Sequence, residues 1–197
     1  MSAMKFDDFK PLKSTSPKIG GLIPEKQLTL LHGIEGAGKS YSLIKFLNEN
    51  GITPIWIDFD ENDDISELDY NRVDGVNALH ALLDGDLDDA SEDMVLIVDT
   101  YSRLVDEMPA KYNDSEISSL LLELSKRAKA TVVIIGHSEV FAGKPTDFQD
   151  DKKLKRDAHA VLWLEYKLLK GAYCSNLHVK KVRGYTGKKI ISNWMRD

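Results

Sequence analysis

Residues 27 to 40 read Gln-Leu-Thr-Leu-Leu-His-Gly-Ile-Glu-Gly-Ala-Gly-Lys-Ser, an apolar run that stops at a glycine and gives way to a lysine and a serine. Residues 27 to 32 have the length and near-continuous apolar character of a strand covered on both faces. Residues 33 to 40 fit G-x-x-x-x-G-K-[ST] at every fixed position. Gly33, Gly36 and Gly38 let the backbone turn tightly enough for its N–H groups to converge on phosphate oxygens. The pattern that follows predicts a helix from Lys39 to Asn50, stopped by Gly51, which sets the loop at the positive end of a helix dipole. In such a loop Lys39 reaches the outer phosphates and Ser40 offers its hydroxyl to a magnesium ion. With Ile34, Glu35 and Ala37 between them and Tyr41 after them, these residues make up the candidate nucleotide-binding segment.

Working outward, apolar runs alternate with amphipathic stretches, the signature of an α/β chain with a mostly parallel sheet between helices. Strands are predicted at 53–59, 94–98 and 131–136, with three more at 160–165, 177–183 and 188–194 extending the sheet. A helix begins near Asn113, with Glu116 as its capping-box partner and Ile117, Leu120, Leu121, Leu124 and Ala128 on its apolar face. The polar stretch from Ser138 to Asp157 reads as a long loop.

The carboxyl ends of these strands carry the next candidates. Asp99 closes Met-Val-Leu-Ile-Val, where a buried acid can hold the water shell of a magnesium ion, and Thr100 follows it. The second strand ends Ile-Asp-Phe-Asp-Glu, so Asp60 or Glu61 is the candidate for polarising an attacking water, with Asp58 still inside the strand. His137 follows the fourth strand, at the edge where ligands gather in open parallel sheets.

The whole chain has 197 residues, 42% of them apolar, a size suited to one domain with its own core. We expect residues 1–20 to be an extension or linker and 21–197 a single domain. A lone Cys174 excludes an internal disulfide and fits a reducing compartment. Met1 to Gly20 lacks the apolar run of a signal peptide or membrane span, so the expected location is cytoplasmic, with a nuclear or viral setting as the other option. The net charge of -6 is unevenly spread, with fourteen acids against Arg72 alone between residues 58 and 93. Bases dominate after residue 152. A polyanion partner and a solvated face balanced by the acidic half both fit that pattern.

Taken in order, these motifs resemble those of the RecA-like P-loop ATPases, the group that holds the RecA and RadA recombinases, the DnaB-type helicases and KaiC. Gly-Ile-Glu-Gly-Ala-Gly-Lys-Ser looks like Walker A, Ile-Trp-Ile-Asp-Phe-Asp-Glu-Asn like the strand ending in the catalytic carboxylate, and Val-Leu-Ile-Val-Asp-Thr like Walker B. His137 stands where many relatives carry a phosphate-sensing glutamine. Lys180-Lys181-Val182-Arg183-Gly184 is similar to the Lys-x-Arg pair that KaiC and DnaB-type proteins deliver to the neighbouring subunit's nucleotide. The resemblance implies ATP and Mg2+ as cofactors, Ser40 and Asp99 at the metal, and Lys39, Asp60, Glu61, His137, Lys181 and Arg183 as catalytic candidates. It also implies self-assembly into a hexameric ring or filament. The size resembles the bare RecA cores of phages and plasmids.

Three functions follow from the resemblance. The first is an ATP-dependent, oligomeric single-stranded DNA-binding protein of recombination, annealing or replication. Its DNA would contact the region from Phe141 to Arg156, where Lys144, Lys152, Lys153 and Lys155 accompany Phe148. The second is a ring helicase or translocase motor. The third is a KaiC-like switch without nucleic acid.

Overall fold

The structure is a computed structural model that describes residues 18–60, 65–84, 94–127, 129–141, 144–148, 152–169, 172–182, 189–192 and 194. The chain opens with a short hairpin, β1 (Lys18–Ile19) and β2 (Ile23–Pro24), followed by β3 (Leu28–Gly33) and α1 (Lys39–Glu49). Next come β4 (Ile55–Asp58), β5 (Asn71–Asp74), α2 (Gly75–Asp84), β6 (Val95–Asp99), α3 (Tyr101–Glu107) and α4 (Asp114–Arg127). The second half carries β7 (Thr131–Phe141), β8 (Lys144–Phe148), α5 (Lys152–Asp157), β9 (Ala160–Leu169), β10 (Ala172–Val182) and β11 (Ile190–Ser192).

The main sheet has the order β11-β10-β9-β3-β7-β6-β4-β5. Every neighbouring pair from β9 to β5 is parallel, while β10 and β11 extend the sheet antiparallel. The expected α/β architecture, with C-terminal strands added to a mostly parallel sheet, is the one observed. Alternation along each strand divides the core into two layers. Leu28, Leu30, Val132 and Ile134 pack with Tyr101, Leu104, Ile117, Leu121 and Leu154 from α3, α4 and α5. Leu31, Ile97, Val133 and Ile135 pack instead with Leu43, Ile44 and Leu47 of α1 and with Ile19, Leu22 and Ile23 of the first hairpin. Each such side chain buried contributes about 1.5–3 kcal/mol, which is why these strands read as unbroken apolar runs. The hairpin spans residue 20, with Ile19 buried on one side of it and Leu22 and Ile23 on the other.

The helix from Asp114 begins as its capping box predicts: Asn113 N–H donates to Glu116 Oε2 at 2.8 Å, and Glu116 N–H returns to Asn113 Oδ1 at 3.1 Å. Ile117, Leu121 and Leu124 are buried and Leu120 partly so, while Ala128 lies outside the described residues.

The long loop expected between Ser138 and Asp157 is not what forms. β7 continues to Phe141, β8 pairs back on it, and α5 follows. A hairpin that satisfies its own backbone needs no apolar period, and α5 is anchored by one buried side chain, Leu154, so neither left a readable pattern. Polar β5 escaped for a related reason: all four of its residues are exposed at the sheet edge. Among the described residues no helix is long and apolar enough to cross a membrane.

Candidate functional site

Gly33, Asp58, Asp99 and His137 come to the same edge of the sheet, because Gly33 is in register with His137 and Asp58 with Asp99. The loop from Gly33 to Ser40 and these strand ends enclose a cleft of about 640 Å³. Gly36 and Gly38 both have φ near +70°, the left-handed region that glycine adopts without strain. Gly38 is also the N-cap of α1, with no side chain to occupy the first-turn amides, which leaves them open to an anion. Gly33 is needed for another reason. A Cβ there would lie 2.5 Å from the carbonyl oxygen of Leu164, so the residue permits β3 and β9 to pack.

Lys39 is 6% exposed and its ammonium is folded back on the loop, donating to the carbonyl oxygens of Gly33 at 3.3 Å and Ile34 at 2.9 Å. Burial lowers its pKa, opposed by the charges of Asp99, Glu35 and Asp60. Ser40 Oγ donates to Asp99 Oδ2 at 2.5 Å, and the indole of Trp56 donates to the same oxygen at 3.1 Å. Asp99 is 2% exposed, and its desolvation raises the carboxyl from 3.8 to about 6 despite those two donors. A buried acid so disposed favours a cation beside it.

The two acids at the end of β4 have different surroundings. Asp58 is buried, accepting from the Arg72 guanidinium on Oδ2 and from the Asp60 amide on Oδ1 at 3.1 Å. Asp60 faces the cleft and accepts from Arg103 Nε at 3.2 Å. Glu61 lies outside the described residues. His137 lines the cleft half-buried, and desolvation, then the Lys39 charge, lower its pKa, which keeps the imidazole neutral at pH 7. Thr100 and Ser102, whose hydroxyls are 3.2 Å apart, complete the polar wall. Tyr41 lines the cleft as well, with the Lys45 ammonium 5.7 Å from its ring centre, whereas Ile34 and Ala37 turn into the core.

Lys181 is not brought to this cleft. It lies on β10 opposite Val161, and its ammonium donates to the carbonyl oxygens of Arg156 and Ala158. There it helps line a second, basic cleft with Lys152, Lys155, Arg156 and Lys180. Arg183 lies outside the described residues. Lys153, a candidate for nucleic-acid contact, is bonded to Ser115 and Ser119 of α4 instead.

Sequence reasoning missed Trp56 and Arg103. Arg103 had a usable signal, since it lies four residues after Asp99 and just past a strand end. The N–H of Trp56 had none, because a tryptophan inside an apolar strand reads as core.

Among solved structures, this backbone is similar to several of one fold. A DnaB-like replicative helicase, described with its interactions with primase, superposes with a TM-score of 0.67 at 13% identity, over 92% of this chain and 61% of the other. The RadB recombinase matches with a TM-score of 0.62 at 12% identity, covering 86% and 87%. The chain has the RecA-like P-loop fold. A KaiC-like protein from the hyperthermophilic archaeon Pyrococcus horikoshii OT3 gives a TM-score of 0.59 at 16% identity over 92% of each chain. No family model and no curated protein matches the sequence.

Proposed function

We propose that this RecA-like protein hydrolyses ATP, and that it does so as an oligomer that binds single-stranded DNA in recombination, annealing or replication. The observation that carries the reading is the convergence of Lys39, Ser40, Asp60, Asp99 and His137 on one cleft beside a phosphate-type loop. The charge balance supports it. Glu35, Asp60 and Asp99 against Lys39 and Arg103 leave the cleft net negative, so a triphosphate is best received with a divalent cation. Hard oxygens from Ser40 and Asp99 suit magnesium, which when bound neutralises charge building on the phosphates.

Lys39 leaves its two loop carbonyls for the outer phosphates. Asp60 orients the attacking water and takes its proton, with Glu61 as the other carboxylate for that role. Neutral His137 donates a hydrogen bond toward the terminal phosphate. Lys181 and Arg183 act on a neighbouring chain's nucleotide, where a cation delivered in trans stabilises the charge of transfer. The basic residues around α5 support the DNA contact, since cations tracking a phosphate backbone are its main source of affinity.

ATP turnover measured against protein concentration, with and without single-stranded DNA at low salt, tests this in the parent and in Arg183→Ala. Turnover per chain should rise with concentration and with DNA, and collapse in the variant. Turnover indifferent to concentration and to Arg183 rejects the trans cation, and indifference to DNA rejects the nucleic-acid role.

A further inference from the structure

Trp56 is wholly buried in β4, yet its indole is not surrounded by apolar groups alone. Its Nε1 donates at 3.1 Å to Asp99 Oδ2, the oxygen that also accepts from Ser40. An indole N–H is a donor only and usually ends on an acceptor when buried; Trp56 does so, whereas the buried Nε1 atoms of Trp163 and Trp194 have no hydrogen-bond partner among the described residues. Phenylalanine would fill such a site without that demand. Two neighbours fix the ring plane. Tyr70 meets it edge-on with centroids 5.2 Å apart at 76°, and the Arg72 guanidinium lies 5.4 Å from its centre. Both clamps are themselves held, Arg72 by Asp58 and the Tyr70 hydroxyl by the Ile65 amide at 2.9 Å.

The two donors on Asp99 therefore differ in freedom. The Ser40 hydroxyl can rotate about its Cβ–Oγ bond, but a clamped indole N–H cannot turn from its acceptor. We infer that Trp56 is a positioning residue, holding Asp99 by Oδ2 so that the carboxylate keeps one orientation toward the divalent cation that accompanies a bound nucleotide. This rests on the nucleotide reading above. Partners of this kind, one step removed from a metal, typically change its affinity about 10- to 100-fold when lost.

The test is calorimetric binding of a non-hydrolysable ATP analogue, in EDTA and in excess Mg2+, by the parent chain and by Trp56→Phe. In the variant the strengthening that Mg2+ gives should shrink about tenfold, while affinity in EDTA stays within about twofold of the parent. An equal Mg2+ gain in both proteins overturns the inference, as does an equal loss in both buffers, which would make the ring mere packing. A parent that binds no analogue under either condition removes the nucleotide reading, and this inference with it. A second measurement needs no altered Trp56. Indole 15N labelling gives one N–H signal for each of the three tryptophans, assigned by elimination with Trp163→Phe and Trp194→Phe. Adding Mg2+ to the analogue complex should move the Trp56 signal well beyond the other two, and a stationary Trp56 signal overturns the proposal.

Discussion

At the carboxyl ends of β3, β4, β6 and β7 the cleft is lined by Glu35, Asp60 and Asp99 against Lys39 and Arg103. Toward the amino ends of β3 and β9, the second cleft gathers Lys152, Lys155, Arg156, Lys180 and Lys181. The net negative charge of the acidic end suits the proposed nucleotide arriving with a divalent cation. At the basic end Lys181 caps the carboxyl end of α5 and Lys180 lies 4.5 Å from the centre of the Trp163 ring, while Lys152, Arg156 and Lys180 remain exposed. Opposite charge at opposite ends of one sheet is consistent with the proposed self-assembly, in which the basic end of one chain would meet the acidic end of the next.

Substitutions at the two ends should therefore fail differently. The largest double effect is expected at Asp99. Its carboxyl is raised from 3.8 to about 6, so the folded chain retains a proton that the unfolded chain has released between those values. Stability from this group is fullest below the lower value and is lost as pH rises through the higher one. Asp99→Asn should stabilise the nucleotide-free chain by about 3 kcal/mol at pH 7.5, with a gain that shrinks toward pH 5 in urea melts. The same change should reduce Mg2+-dependent turnover about 100-fold. A variant that melts like the parent at both pH values would mean that burying Asp99 carries no such cost.

Gly33→Ala comes next, because the new Cβ would press on the Leu164 backbone. A loss of about 2 kcal/mol is expected in denaturant unfolding, and a change under about 0.5 kcal/mol would mean that β3 and β9 can separate freely.

Most of the acidic end was legible in the sequence because its chemistry is local. Gly33 to Ser40 is contiguous, and Asp60, Asp99 and His137 each follow an apolar strand whose end could be located within a few residues. What stayed hidden depends on contacts across the fold. Asp58 and Asp60 fall on the same face of the strand in the chain, and it takes Arg72, fourteen residues on, to pair with the buried Asp58. Trp56 gains its polar role from Asp99, on the neighbouring strand. The basic end was visible as composition, but its lysines take their partners from helix ends and serines that no spacing rule reveals. The β7–β8 hairpin was hidden because backbone pairing does not need a hydrophobic pattern.

Smaller effects separate the two ends further. Lys181→Met removes a donor from the Arg156 and Ala158 carbonyls and should cost about 1 kcal/mol, read as a lowered urea midpoint. No change there would free Lys181 from its structural duty at the basic end. Arg103→Gln breaks an ion pair whose arginine is 61% exposed, and should alter unfolding by well under 1 kcal/mol. A larger loss would show that the acidic end relies on Arg103 for its shape.

The most direct measurement is ATP turnover by the parent and by Lys39→Ala at pH 7.5 with Mg2+, both confirmed folded by circular dichroism. Among the described residues Lys39 is the one lysine lining the acidic cleft, and removing the cation proposed to meet the phosphates should reduce turnover about 100-fold or more. Equal turnover in the two proteins, or a parent that neither binds nor hydrolyses ATP, would contradict the assignment of this cleft as a nucleotide site.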